Sequence, residues 1–448
     1  MDNARKKALE VLLRWEKRGS PMDPLFHTMI MTDPRLTHQD RAFVRELVYG
    51  VLRWRKKLDW IISTYSSVPP RKIERALLPV LRMGTYQLLY LDRTPDHAVV
   101  DEAVKLAKGI GKGGAAAFVN GLLRGIAEGR KEVAYPDLDE DPVNHISTYY
   151  SHPFWMVRRW IASWGVDETI ALCKANNQLP PFTVRVNTLK VQREEVIEAL
   201  RKKAVRSRPT PHSPVGLIVD NPPPLSTWPP LQEGLFYVQD EASQLVSYLV
   251  APQPTERILD VCAAPGGKTT HLAQLMRDQG EIVALDVSPS KLSILKTNCR
   301  RLGITLVKTK AVDATRPLPF PTASFDKILI DVPCTGLGTL RRNPDAKWRV
   351  KETDVQRLQT LQRQILEQTA PLVKPAGMLV YSTCTLTVEE NEGVIEPFLR
   401  SNSGFFLESA SGLLPPCCTD LTDKDGCLRT LPHLHGTDGF FAARMRRS

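Results

Sequence analysis

Apolar positions recur with two different periods along the chain, and the change of period divides it. From Ala4 to about Ile126 they return every three to four residues. Leu9, Leu12 and Leu13 share one helical face, and Leu81, Leu88 and Leu91 follow at seven- and three-residue steps. Gly84, inside the second set, predicts a close helix crossing because it carries no side chain. Between Glu132 and Asp141 lie five acidic residues, a proline and no basic residue, the composition of a linker. The period then shortens. Residues 183–189 (TVRVNTL) alternate as a strand, 193–203 are helical and 216–220 are strand-like again, so a small α/β unit is expected. Its proline-rich run 220–231 reads as a surface loop.

From Gly234 onward short apolar runs alternate with helical patterns. Strands are predicted at 257–262, 282–286, 306–310, 327–331 and 378–382, and helices at 267–279, 289–301, 353–370 and 389–400. Such spacing implies right-handed crossovers and a parallel sheet covered on both faces. The expected fold class is therefore multidomain: an all-α domain over 1–131, a small α/β domain over 142–233, and a Rossmann-like α/β domain over 234–448. Ligands of such sheets sit at the carboxyl ends of the strands. Cys262, Asp286, Asp313, Asp331, Cys334 and Cys384 all fall at or just past those ends.

Charge and cysteine content narrow the function class. The 448 residues carry a formal charge of +11, and residues 1–131 hold 24 Lys and Arg against 14 Asp and Glu. The excess sits almost wholly in the helical third, which suits a polyanionic partner. Arg53, Arg55, Lys56 and Lys57 lie beside Trp54 and Trp60 there; both tryptophans are expected in the core. No apolar run approaches the roughly 20 residues that span a bilayer, and no signal-like apolar stretch opens the chain, so a cytoplasmic protein without a membrane partner is expected. Eight cysteines in so long a chain form no disulfide framework and are expected as thiols. Cys417, Cys418 and Cys427 lack metal-ligand spacing, and no metal is expected.

Residues 258–272, ILDVCAAPGGKTTHL, read as strand, glycine turn and helix. The glycines let a cofactor approach the backbone, and the helix start offers unpaired N–H groups. A phosphate-binding P-loop would need glycine where Cys262 stands, and the GxGxxG dinucleotide fingerprint is absent. Asp286 ends the next strand, where an acidic side chain meets ribose hydroxyls. DVCAAPGGKTTHL resembles the cofactor loop of S-adenosylmethionine-dependent RNA cytosine-C5 methyltransferases. That resemblance implies a cofactor site built from Cys262, Ala263, Ala264, Pro265, Gly266, Gly267, Lys268, Asp286, Asp313 and Asp331, with Asp313 near the adenine.

The chemistry of that class agrees with two further motifs, Asp331-Val332-Pro333-Cys334-Thr335-Gly336 and Ser382-Thr383-Cys384-Thr385. C5 of cytosine is too weak a nucleophile to take a methyl group directly. A thiolate adding at C6 makes C5 enamine-like, a base must then remove the C5 proton, and an acid near N3, with Asp331 the candidate, offsets the charge shift. The resemblance implies Cys384 as nucleophile and Cys334 as release base; DNA cytosine methyltransferases use the Pro-Cys cysteine for attack, which leaves the reverse assignment open. An amine methyltransferase would carry an Asn/Asp-Pro-Pro-aromatic loop where this chain has DVPC. Arg341, Arg342 and Lys347, with Arg349, follow the Pro-Cys loop and are expected to hold RNA backbone around a flipped cytosine.

The resemblance covers nearly the whole chain. Residues 41–62, 81–111 and 118–126 resemble the NusB-type RNA-binding domain, and the domain order is similar to the bacterial RsmB (Sun/Fmu) family. The small α/β domain then corresponds to one that helps hold RNA. The implied function is methylation of a cytosine of 16S ribosomal RNA at C5, by a monomer. Thr335 stands where Ser is common in the family and Lys291 where Arg is frequent. A transfer RNA methyltransferase and a non-enzymatic RNA-binding or antitermination factor are the alternatives. The second would have no need of Cys334 and Cys384 together.

Overall fold

The computed structural model of the chain describes residues 3–92, 94–111 and 113–448. Arg93 and Lys112, within the stretch predicted as helical, lie outside the described residues. The contacts divide the chain into two compact units, Met1–Gln178 with Leu340–Lys351, and Leu179–Thr339 with Glu352–Ser448.

The first unit is helical, which the 3.6-residue pattern predicts for residues 4–126; it also takes in helices within 142–176, a stretch expected to open the small α/β domain. Its helices run Asn3–Arg18, Met22–Phe26, His38–Tyr65, Leu77–Tyr90, Asp96–Ile110, Ala115–Gly129, Pro142–Tyr149 and Phe154–Asn176, and Ala346–Arg349 adds one turn. The long third helix starts at a capping box in which Asp40 N–H donates to Thr37 Oγ1 at 3.1 Å and Thr37 N–H to Asp40 Oδ2 at 2.9 Å. Gly84 lets Leu77–Tyr90 cross Ala115–Gly129 closely: a Cβ there would stand 2.6 Å from Leu123 Cδ1. The two tryptophans depart from expectation, since both are half-buried. Trp54 stacks on Tyr90 with ring centroids 5.0 Å apart, and Trp60 Nε1–H donates to the Ala134 carbonyl at 3.0 Å.

The basic residues around them are less solvated than a charge run suggests. Arg53 is buried and donates to the Arg341 carbonyl at 3.0 Å, and Lys57 Nζ lies 4.0 Å from the Tyr149 ring centroid. Burial pushes the Lys57 ammonium down to about 8. Lys347 and Arg341, expected to grip RNA, are buried as well. Lys347 Nζ donates to the carbonyls of Arg53 and Ser151, both at 3.2 Å, and to Asn177 Oδ1 at 2.7 Å. Its stem and its donors are used inside the helical unit, where no phosphate reaches them. Arg342 alone of the three is half-exposed.

The second unit contains two sheets. Strands β1 (Thr183–Val186), β2 (Ser207–Pro209), β3 (Gly216–Val219) and β4 (Phe236–Val238) form an antiparallel sheet in the order β2-β3-β1-β4. Strands β5 (Arg257–Val261), β6 (Glu281–Asp286), β7 (Val307–Ala311), β8 (Phe325–Asp331) and β9 (Val373–Thr383) are the parallel set predicted from sequence. Five strands were not foreseen: β2 and β4 of the small sheet, and β10 (Phe405–Glu408), β11 (Leu428–Thr430) and β12 (Phe440–Arg447), the last three adding antiparallel beyond β9. The order is β10-β12-β9-β8-β5-β6-β7. Burial on both faces of β5 and β8 explains their continuous apolar runs. Among the described residues no helix is long and apolar enough to cross a membrane.

Lys347→Ala is expected to destabilise the helical unit by roughly 2–4 kcal/mol, because three buried acceptors lose their donor. Urea unfolding of the full chain, followed by tryptophan fluorescence, measures it; an unchanged midpoint would show that the ammonium is not held inside.

Candidate active site

The glycine turn after β5 has the shape of a cradle. Gly266 sits at φ +104°, a conformation open to glycine, and a Cβ there would stand 2.9 Å from Leu295 Cγ. Gly267 opens the helix Gly267–Leu275, whose first N–H groups face out of the turn. Beneath it Asp260 is fully buried, with Oδ2 accepting from Thr269 Oγ1 at 2.6 Å and Oδ1 unpartnered. Burial, more than the nearby Asp331 and Asp286, pushes this carboxyl up to about 7. Asp286 ends β6 nearly buried, one oxygen accepting Ser288 N–H at 2.9 Å. Asp313 holds its own turn, with Oδ1 accepting Thr315 N–H at 3.0 Å and Oγ1 at 2.7 Å, contacts that keep its carboxyl below the usual range. A glycine cradle, a helix start and an acidic residue on the neighbouring strand fit an adenosine-containing cofactor with a charged amino-acid end.

Four of the residues expected from sequence converge at the ends of β5, β8 and β9. Lys268 Nζ donates to Asp331 Oδ2 at 2.7 Å, and Ser382 Oγ donates to Asp331 Oδ1 at 2.8 Å. The Asp331 carboxylate is thereby pinned between the cofactor turn and β9. Beyond it, Cys334 Sγ and Cys384 Sγ stand 3.2 Å apart, and Cys384 N–H points to Cys334 Sγ at 3.4 Å. The contact with Cys384 first, and burial second, push the Cys334 thiol well up.

Glu390, a residue that the sequence did not single out, holds the two cysteine loops together. It has no exposed surface. Its Oε1 accepts Thr335 N–H at 2.9 Å and Gln362 Nε2–H at 3.0 Å, and its Oε2 accepts Thr335 Oγ1 at 2.5 Å and Thr387 Oγ1 at 2.7 Å. Thr335 and Thr385 hydroxyls meet at 2.7 Å, and Asn391 bonds Thr383 Oγ1 at 2.6 Å and the Thr385 carbonyl at 3.2 Å. The sequence placed it at the start of the helix expected over 389–400, in a stretch that resembles the family, and gave it no role of its own; the helix runs Glu392–Ser401, so Glu390 precedes it.

Arg185 on β1 was missed for a similar reason. Fully buried, it donates to the Gly267 carbonyl at 2.5 Å, to Thr270 Oγ1 at 2.8 Å, to Gln274 Oε1 at 2.9 Å and to Gln239 Oε1. It ties the small sheet to the first turns of the cofactor helix. The remaining cysteines take no part: Cys173, Cys299 and Cys427 are buried, and the thiols of Cys417 and Cys418 donate to the His212 carbonyl at 3.2 and 3.3 Å.

Comparison with known proteins agrees with this geometry. Residues 247–446 match the family model described as 16S rRNA methyltransferase RsmB/F, 2–128 the NusB family, and 152–226 the RsmF/B-like ferredoxin-like domain. The chain is 36% identical over 99% of both chains to the probable ribosomal RNA small subunit methyltransferase B of Bacillus subtilis strain 168. It is 39% identical over 100% of both to the probable protein of that name in Synechocystis sp. PCC 6803. Among solved structures it is similar to PH0851, with a TM-score of 0.83, 29% identity and coverage of 99% of this chain and 98% of that one. NSun6 from Pyrococcus horikoshii with SFG, an S-adenosylmethionine analogue, matches with a TM-score of 0.59 and 26% identity over 66% of this chain and 98% of that one.

The buried carboxyls generate two predictions. Glu390→Gln sets an amide NH2 against two of the four donors and should cost roughly 1–3 kcal/mol, with faster alkylation of Cys334 and Cys384 by iodoacetamide; mass spectrometry showing unchanged labelling would remove the clamp. For Asp260, a native value of about 7 against an ordinary 3.8 means that the protonated form is favoured on folding. Its stabilising contribution is complete below the ordinary value and is lost as pH rises through the native one. Melting temperatures from pH 5 to 8 should fall for the unaltered chain relative to Asp260→Asn, and parallel curves would contradict it.

Proposed function

The chain belongs to the RsmB family of ribosomal RNA small subunit methyltransferases, and from that premise we propose that it methylates C5 of a cytosine in 16S ribosomal RNA through a covalent cysteine adduct. The observation that carries this reading is the 3.2 Å approach of Cys334 and Cys384 beside the Asp331 carboxylate. Two thiols at one strand-end site serve a reaction that needs both attack and release. A non-enzymatic RNA-binding protein has no use for such a pair.

S-adenosylmethionine supplies an electrophilic methyl group when bound, and the turn from Cys262 to Lys268 with Asp286 and Asp313 would hold it. In this reading Cys384, as thiolate, forms a bond to C6, and the C5–C6 π electrons move toward N3, which gains a proton. In this proposal Asp331, held by Lys268 and Ser382, relays to N3 the proton that the Cys384 thiol gives up on becoming a thiolate. Once C5 is methylated, its remaining proton must leave before the C6–S bond breaks. Cys334, 3.2 Å from Cys384, takes that proton as a thiolate once its own thiol proton has passed to solvent, and the C6–S bond then breaks to return Cys384 as thiolate. The attack is assigned to Cys384 because its Thr-Cys motif follows β9 directly and matches the position of the nucleophile in the resembling family.

The helical unit, with its surplus of basic residues, supplies RNA affinity in this reading, and the small sheet helps to present the RNA. Of the arginines after the Pro-Cys loop, Arg342 remains the candidate RNA contact.

Denaturing gels with labelled 16S fragments test the cysteine roles. Cys334→Ala should trap protein on methylated RNA as a shifted band, and Cys384→Ala should abolish both adduct and turnover. The opposite pattern would reverse the roles, and full activity in both variants would remove covalent catalysis. Bisulfite sequencing of ribosomal RNA from a deletion strain tests the substrate: one unmethylated cytosine in 16S RNA is expected, and a loss confined to transfer RNA would overturn it.

A further inference from the structure

Within the helical unit lies a cavity of ≈ 580 Å³, lined by none of the cysteine-motif residues and within the roughly 300–1,000 Å³ range of small-molecule sites. Its lining combines two kinds of surface. Leu13, Leu78, Trp15 and Trp348 supply apolar and aromatic wall, while Lys17, Arg55, Arg75, Arg82 and Arg349 supply five cations against a single acid, Glu16. Some of those cations are already engaged. Arg82 is bound by Asp59 at 2.6 Å and also by Glu16, and Arg349 is 3.5 Å from Asp345. Lys17 and Arg75 are exposed and have no ion pair or hydrogen bond among the described residues. They are the positions at which an incoming anion gains most.

Two further features describe the rest of the ligand. Arg55 lies over both indoles of the wall, 5.5 Å from the Trp15 ring and 5.8 Å from that of Trp348, so a flat cation and flat rings already share this space. Trp15 itself is only 4% exposed, yet its Nε1–H has no partner. A buried donor without an acceptor costs free energy that a ligand acceptor recovers. The combination of a planar group, an acceptor edge and an anionic tail is that of a nucleotide. A purely apolar ligand leaves Lys17, Arg75 and the indole donor unused, and an acidic peptide leaves the aromatic wall unused.

We infer that this cavity seats one unstacked nucleotide of the RNA substrate, its base against Trp15 and Trp348 and its phosphate at Lys17 and Arg75. The inference rests on the reading of the protein as an RNA methyltransferase and deepens it: the site grips a nucleotide that is not the one methylated. Stacking on aromatic walls is tolerant of sequence, whereas the indole donor favours a base that presents an acceptor.

The test uses the full chain labelled with 5-fluorotryptophan, with the ¹⁹F lines of Trp15 and Trp348 assigned from Trp15→Phe and Trp348→Phe. Adenosine 5′-monophosphate and a single-stranded hexaribonucleotide should both shift these two lines, and adenosine without phosphate should bind about tenfold more weakly. The exposed-rim variant Lys17→Glu/Arg75→Glu should lose the response while keeping its melting temperature. The hexanucleotide should displace the mononucleotide. Lines that no nucleotide moves, or that move equally in the rim variant, overturn the inference. An equal response to poly-glutamate would make the cavity an acidic-peptide site, and a mononucleotide that RNA fails to displace would make it a free-nucleotide site; either result sinks it. Methyl transfer to ribosomal RNA is measured on the same unaltered chain. Activity without any ¹⁹F response removes only the cavity, and a nucleotide response without RNA methylation removes the functional reading instead.

Discussion

Glu390 accepts hydrogen bonds from three residues on three different segments while having no exposed surface of its own. A buried carboxylate is tolerable only when its lone pairs are filled, and here Thr335, Gln362 and Thr387 fill them. The consequence is geometric. The loops after β8 and β9 are joined by nothing in the sequence over the 50 residues from Cys334 to Cys384, yet their sulfurs approach to 3.2 Å. Parallel pairing of β8 with β9, which sets Asp331 opposite Ser382, brings the two strand ends together, but it does not fix the loops that leave them. The carboxylate does, because any loop that drifts leaves a donor or an acceptor unpaired in a dry interior. Asn391 and the Tyr381 hydroxyl, which donates to the Glu390 carbonyl at 2.6 Å, extend the same restraint into β9.

The cofactor turn depends on a second buried group of opposite sign. Arg185 reaches from the small antiparallel sheet to the carbonyl of Gly267 and the side chains of Thr270 and Gln274. A guanidinium this deep is favourable only because most of its donors are used, and burial first, with the charge of Arg301 adding to it, pulls it well below its ordinary range. The small sheet and the parallel sheet consequently share one compact unit, although they read as separate modules in sequence. Modules in sequence describe ancestry and periodicity, whereas compact units describe where desolvated contacts lie. The two descriptions differ here because a few polar side chains cross the module boundary and are satisfied on the far side.

The parallel strands, the helix-rich first third, the glycine turn after β5 and the strand-end position of both cysteine motifs were legible in the sequence, and the physical reason is local. A strand buried on both faces must be apolar throughout, a helix must repeat near 3.6, and a tight turn must use glycine. The strands β10 to β12 were not legible. Phe440–Arg447 and Phe405–Glu408 acquire their meaning only by pairing with each other and with Val373–Thr383, contacts that no short window contains. Glu390 and Arg185 were missed for the converse reason. Charged residues read as solvent-facing by default, and only the tertiary fold shows which ones have partners inside. Trp54 and Trp60, in turn, were read as core and are half-buried, because each indole also meets a polar or stacked partner at the surface.

The run RRNPDAKWR shows how far such a default can mislead about function. It comes directly after the Pro-Cys loop, and its four basic residues suggest a grip on RNA beside the reacting base. Yet residues 340–351 pack with the helical unit, where Lys347 is enclosed by three oxygen acceptors, Trp348 donates to the Leu52 carbonyl, and Asp345 accepts Met22 N–H at 3.2 Å. The segment leaves the catalytic loop at Thr339 and is held by a different core. Loss of activity on substituting Lys347 therefore carries two meanings, a lost RNA contact or a loosened helical unit, and the geometry selects the second. Arg53 reinforces that choice, since its guanidinium, in the basic cluster of the helical third, is spent on the Arg341 carbonyl. Two basic clusters far apart in sequence thus use part of their charge on each other's backbone, and the charge that remains for RNA is carried by the residues whose donors no carbonyl takes.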